Sequence, residues 1–184
     1  MSSETASIAS IPARITVEEL AAALGLDIAE IQAVLVARDE PSAPEDVVAA
    51  DLALVVARVL GVALNIEPRD QALELLYQVE IGGEAPDAGD LKGRVGYLVK
   101  GVLDHREDLD HEIESASEHW SVARMPIIDR TILRLGLFEL RHSKDTPTGV
   151  VVSEAVRLAK TYSTERSGSF VNGVLATLAR APRG

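Results

Sequence analysis

The amino-acid sequence predicts an all-α protein, on three grounds. Apolar residues make up 47% of the 184 but aromatics only 3%, so cores have to be built from Ala, Leu, Val and Ile, which suits helix packing better than a sheet sandwich. Along most of the chain apolar residues recur at the i, i+3, i+4, i+7 spacing of one helix face. Helix starts and stops punctuate that pattern at regular intervals.

Residues 1–12 are rich in Ser and Ala without periodicity, and the first 13 residues are expected to form a disordered tail. A small three-helix module is expected over residues 14–62. Thr16-Val-Glu-Glu19 has the form of a capping box, followed by Leu20, Ala23 and Leu24 and stopped at Gly25. Asp27-Ile-Ala-Glu30 repeats the device and opens a helix to about Ala37, with Ile28, Ile31, Val34 and Leu35 on one face. Ser42-Ala-Pro-Glu45 predicts a third helix with Pro44 in its first turn, running to Leu60 and stopping at Gly61.

Val62–Pro68 reads as a junction, and residues 63–184 as a second, larger helical domain. Arg69–Glu80 is expected to bury Ala72, Leu75, Leu76 and Val79 before Gly82-Gly83 breaks it, and 84–89 reads as a polar loop. Further helices are expected over 90–103 and 106–118. Ile128–Leu140 carries two adjacent apolar stripes and is the strongest helical signal. Beyond a loop containing Pro147, Val152, Ala155, Val156 and Ala159 mark one helix, and Val171, Val174, Leu175 and Leu178 mark the last after a turn at Tyr162–Gly168. Val150–Val152 is strand-like, but three residues do not outweigh the helical period around them.

Composition narrows the function. Without cysteine, disulfides, thiolate chemistry and cysteine zinc sites are excluded. Met1 to Ile11 lack the basic start and apolar run of a signal peptide, and no apolar stretch reaches a membrane span, so a cytoplasmic location is expected. The net charge of −11 argues against a nucleic-acid binder, but its distribution does not. Residues 1–64 hold three Arg against ten acids, and Asp104–Glu118 hold seven acids and one Arg. From His119 to Gly184 there are ten Lys or Arg against five acids. The field at a surface is set by charges within a Debye length, roughly 8–10 Å, so that last third can present a positive face to RNA.

Single-stranded RNA recognition needs cations for phosphates and flat side chains for unstacked bases. Arg130, Arg134 and Arg141 fall on one side of the Ile128–Leu140 helix by the 3.6-residue period, as a cationic strip. Arg157 and Lys160 share a helix face. Phe170 follows Ser167-Gly168-Ser169 at a helix start, where free N–H groups and the helix dipole favour phosphate. Arg130 has a competing role as partner of Asp129 or Glu154, and Tyr77 and Phe170 have one as core residues. No P-loop, GxGxxG or GxSxG element is present, His105 and His111 lie on different helix faces, and no cofactor, metal or reaction centre is expected.

From Arg69 onward the chain resembles the NusB family of transcription antitermination proteins. The resemblance rests on Arg69-Asp-Gln-Ala-Leu-Glu-Leu-Leu-Tyr-Gln78; on Trp120, Arg124-Met125, Asp129-Arg130, Leu133-Arg134-Leu135-Gly136 and Phe138-Glu139-Leu140; on Val152-Ser-Glu154-Ala-Val156 with Leu158-Ala-Lys160; and on Phe170-Val-Asn-Gly-Val-Leu175. It implies a NusB-like helical bundle of two packed subbundles, binding boxA-like single-stranded RNA with ribosomal protein NusE. Such a complex joins the RNA polymerase elongation complex and supports ribosomal RNA transcription. It also implies RNA contacts from Arg69, Tyr77, Lys160 and Phe170, and a capacity for homodimerisation. The chain departs from the family where an arginine-rich arm usually precedes the opening helix: here that stretch is Leu64-Asn-Ile-Glu-Pro68, with no base before Arg69. Each lost phosphate contact weakens RNA binding and flattens its salt dependence, so weak binding by the chain alone is expected.

Residues 14–61 resemble the N-terminal module of bacterial translation initiation factor two, through Ile15-Thr-Val-Glu-Glu-Leu-Ala, Leu24-Gly-Leu and Val59-Leu-Gly61. A DNA-binding helix-turn-helix there fits poorly with a segment charge of −6. An RNA methyltransferase fragment is a further reading, but no cofactor-binding βα pattern follows the bundle. The remaining alternative is a NusB-like regulatory domain with weak or lost RNA binding, acting as a protein-interaction or dimeric module.

Overall fold

The computed structural model describes residues 9–12, 14–62, 64–86, 91, 93–117 and 120–180. The chain divides into two compact units, Met1–Asp70 and Gln71–Gly184.

The first unit contains β1 (Ala9–Ile11), β2 (Arg14–Thr16), α1 (Val17–Leu24), α2 (Ile28–Val36), β3 (Val47–Ala49), α3 (Ala50–Val59) and β4 (Leu64–Ile66). Both capping signals act as the sequence predicts. The Glu19 amide donates to Thr16 Oγ1 at 3.2 Å while Glu19 reaches back to the Thr16 amide at 3.0 Å, and Glu30 Oε2 accepts from the Asp27 amide at 3.0 Å. Gly25 ends α1 in the left-handed conformation at φ 66°. Leu20, Ile31, Leu35, Ala53 and Val56 form the buried centre of this unit.

The structure departs from the sequence expectation for this unit in three places. Ala9–Ile11, placed in a disordered tail, pair in parallel with Leu64–Ile66, and Ile11 is fully buried. Residues 1–8 and 13 lie outside the described residues. The third helix begins at Ala50, eight residues after the predicted cap at Ser42, because 44–46 serve a different end. The carbonyls of Pro44 and Asp46 accept from the Glu18 and Val17 amides at 3.0 Å each, satisfying the first turn of α1. The β-branched Val47-Val48 then extend as a strand antiparallel to β2. The helical module is therefore laced by two short two-stranded sheets. Pairing of β4 with β1 also carries the first unit past residue 62, so the boundary falls within α4 (Pro68–Glu80).

The second unit holds the rest of α4, α5 (Gly93–Asp104), α6 (Arg106–Ala116), a 3-10 turn at Val122–Arg124, α7 (Ile127–His142), α8 (Thr148–Tyr162) and α9 (Ser167–Leu178). The predicted loop over 84–89 and helix start near residue 90 fall partly outside the described residues. Val150–Val152 lie within α8, as the helical period requires. Helix α7 is the axis: every residue from Thr131 to Leu140 is buried, and α5, α6, α8 and α9 pack around it. Among the described residues, no helix is long and apolar enough to cross a membrane.

Candidate nucleic-acid interface

The described cations of the second unit fall into a paired set and an exposed, unpaired set. In the paired set, Glu80 at the end of α4 faces α6 and α7. It accepts from Arg130 Nε at 2.8 Å, and pairs with Arg106 at 2.5 Å and Arg134 at 3.0 Å. Arg134, only 4% exposed, also forks onto Asp110 of α6, with Nε at 2.6 Å and an Nη at 2.9 Å. Arg141 similarly reaches Glu112 at 2.6 Å. Burial pushes the Glu80 carboxyl toward a higher pKa, but the charges and hydrogen bonds of Arg134, Arg130 and Arg106 outweigh it and hold it below its ordinary value. Burial likewise opposes the charge on Arg134, and Asp110 with Glu80 overcome it, raising its pKa.

The expected cationic strip is therefore corrected. The 3.6-residue period does place Arg130, Arg134 and Arg141 together, but carboxylates from α4 and α6 meet all three. Arg130 pairs with Glu80 rather than with Asp129 or Glu154. These arginines tie helices together.

The exposed set lies elsewhere. Lys160, in the last turn of α8, and Arg166, capping α9, are exposed and make no ion pair among the described residues. Lys160 lies along the first turn of α9: a methyl group at Gly168 would sit 3.0 Å from Lys160 Cγ, so glycine is what lets the stem pass there. Arg157, expected on the same face as Lys160, is drawn onto Glu154 at 3.0 Å. Phe170, one turn into α9, is half-buried at the edge of the core.

Beside Phe170 opens a groove of about 340 Å³, lined by Trp120, Met125, Pro126, Asp129, Thr164 and Ser167 with Phe170 and Arg166. The Trp120 and Phe170 rings make a tilted aromatic contact, with centroids 6.5 Å apart and planes at 51°. At its floor the buried Asp129 carboxylate accepts from Ser163 Oγ at 2.5 Å and Ser167 Oγ at 2.9 Å, joining the start of α7 to the α8–α9 turn. The sequence does not mark Trp120 or Arg166 for RNA binding. Trp120 is separated from Phe170 by 50 positions, and only the fold brings the two rings together.

Tyr77 is half-buried on α4. Arg69 lies in the first turn of α4, within the first unit, where it makes interactions of its own. Among the described residues, no group of three or more His, Asp or Glu is placed to hold a metal ion.

A helical bundle around one buried axis, with paired arginines inside and a cationic, aromatic flank outside, defines a binding scaffold. The NusB family model matches residues 66–180, and the chain belongs to the NusB family. It is similar to the transcription antitermination protein NusB of Clavibacter sepedonicus, 38% identical over 128 residues that cover 61% of this chain and 93% of that relative. NusB of Geobacillus kaustophilus is 37% identical over 123 residues, covering 62% of this chain and 95% of the relative. Among solved structures it resembles T. maritima NusB, with a TM-score of 0.57 and 30% identity over 64% of this chain and 91% of that one. It also resembles a chain in the crystal structure of antitermination factors NusB and NusE in complex with dsRNA, with a TM-score of 0.53 and 34% identity over 62% and 95% of the two chains.

Proposed function

We propose that this protein is a non-catalytic, cytoplasmic transcription antitermination adaptor. Its helical unit binds boxA-like single-stranded RNA together with ribosomal protein NusE, and so joins the RNA polymerase elongation complex and supports ribosomal RNA transcription. The single observation that carries this reading is the family match over residues 66–180, which includes the flank where Lys160, Arg166 and Phe170 remain exposed or half-exposed. Within the second unit Lys160 and Arg166 supply phosphate contacts and Phe170 a stacking face, with Tyr77 contributing from α4. Arg130 and Arg134 act indirectly, by holding α4, α6 and α7 in register.

One observation favours a second reading. The stretch that precedes the opening helix, where the family pattern carries a basic arm, is here strand β4, hydrogen-bonded to β1. The backbone of that stretch is committed to the first unit. Weak binding by the chain alone follows, with NusE restoring affinity; in the alternative, RNA binding is lost and the unit serves as a protein-interaction or dimeric module.

Titration of a labelled boxA-like single strand at several salt concentrations, with and without NusE, separates the two. The adaptor reading expects weak binding alone with a shallow salt slope, and clear tightening by NusE. No binding under either condition would leave the alternative.

A further inference from the structure

The second unit has another concave surface, away from the α8–α9 turn. It is a groove of about 260 Å³ lined by Pro86, Leu91, Gly96, Tyr97, Val99 and Leu103, with the exposed Lys100 and Asp104 beside them. That volume falls short of the about 300–1,000 Å³ of clefts that enclose a drug-sized ligand, so it suits a few side chains offered by a larger partner.

The groove is held in shape. The Tyr97 hydroxyl donates to the His142 carbonyl at 2.9 Å, and its ring packs on the buried Phe138 with centroids 5.2 Å apart. Arg94, one turn before Tyr97, is held on the buried Glu139 carboxylate. Leu91 lies so close to α5 that a methyl group added at Gly96 would sit 2.5 Å from the Leu91 carbonyl oxygen. Tyr97 is nevertheless 41% exposed, a large ring fixed in place but left partly uncovered by the bundle. A preformed apolar surface of this kind gives up little conformational freedom when it is covered.

Charge selects the partner. Lys100 is paired with Asp104, Arg94 with Glu139 and Arg106 with Glu80. Glu84, just before Pro86, and Glu107 and Asp108, in the first turn of α6, are exposed and make no ion pair among the described residues. Every described Lys and Arg of α5 and α6 is thus neutralised, while three carboxylates near the groove are free. Such a border repels phosphate and attracts cationic side chains that flank an apolar anchor. The groove is also remote from the proposed RNA flank, because His142 ends α7 and Asp129 lies in its first turn, about 20 Å away along the helix.

We propose that this groove docks a basic amphipathic segment of a protein partner. Aliphatic anchors enter beside Tyr97, Leu91 and Leu103, and basic side chains meet Glu84, Asp104, Glu107 and Asp108. This goes beyond the antitermination reading, since the site stays open while RNA and NusE are held elsewhere on the bundle.

The probe is a labelled peptide of leucine and lysine with helical apolar spacing. Its controls are a scrambled isomer, a form with alanine for leucine and a form with glutamate for lysine. Each is titrated against the full chain by anisotropy, and backbone amide shifts locate the bound peptide. The leucine–lysine peptide should bind at least about tenfold more tightly than the scrambled and alanine forms, with the glutamate form not binding. Perturbed amides should centre on Gly93–Asp104. Asp104→Lys should weaken binding by about two- to tenfold and Lys100→Glu tighten it by a similar factor, opposite changes that a loss of folding does not produce. Saturating NusE and a boxA-like single strand should leave the peptide bound. No binding, equal binding of the scrambled peptide, shifts centred outside α5, or indifference to both charge reversals would overturn the proposal. Displacement by NusE or RNA would overturn it too, by assigning the groove to a partner already proposed.

Discussion

Replacing Glu80 by Gln tests how the bundle is held together. The substitution keeps the shape but removes a charge that faces Arg106, Arg130 and Arg134. The three pairs are not equal. Arg134 and Glu80 are each 5% exposed at the side chain, whereas Arg106 is 45% exposed, so solvent screens its share. Breaking one partner of a buried ion pair costs about 3–5 kcal/mol, and an exposed pair contributes about 0–1 kcal/mol. Arg134 retains its fork onto Asp110, which lowers the loss, so about 2–4 kcal/mol is expected for E80Q. For a domain of this size that corresponds to a fall in Tm of roughly 8–20 °C. Calorimetry on wild type, E80Q and Arg106→Gln measures it, with R106Q expected to lose at most about 1 kcal/mol. RNA binding by E80Q below its melting temperature should stay close to wild type, because Arg130 and Arg134 are structural. A Tm within about 2 °C of wild type, or RNA binding that collapses in a folded E80Q, would refute this assignment.

Three further outcomes are expected. Gly101→Ala should destabilise the second unit by about 1–3 kcal/mol or more, since the added methyl would lie 2.0 Å from Phe138 Cζ; chemical denaturation reads this directly. Burial, the nearby His105 ring at 4.5 Å and Arg141 together hold the His142 pKa below 6.5 against the opposing pull of Glu112, so the unfolded state binds that proton more readily; stability should be complete above pH 6.5 and decline as pH falls through the lower folded value, with Glu80 adding a second loss below pH 4.5, as Tm against pH would show. Thr16→Ala should remove the α1 cap and cost the first unit about 1 kcal/mol, seen as earlier exchange of the α1 amides.

The parts of the fold legible in the sequence were those set by neighbours along the chain. The capping residues Thr16 and Asp27, the stop at Gly25 and the apolar stripes of α7, α8 and α9 involve partners three to eight positions away, where helical periodicity is decisive. What escaped was long-range. Nothing near Ala9–Ile11 announces a partner at Leu64–Ile66, and Pro44 has the same local signature whether it opens a helix or lends its carbonyl to another one. The candidate site follows the same rule. The period placed Arg130 and Arg134 on one side of α7, but Glu80, 50 positions before Arg130, decides that this side is interior. Trp120 carries the family resemblance in the sequence, but only the fold sets it beside Phe170.

Whether the α8–α9 flank of the second unit grips RNA beside NusE is tested most directly by anisotropy of a labelled boxA-like single strand, titrated with the chain plus NusE, when wild type is compared with Lys160→Glu and Phe170→Ala. Saturable binding that NusE tightens, and that each substitution weakens by about tenfold or more at unchanged circular dichroism, is the predicted result. Equal affinities for all three proteins would contradict it.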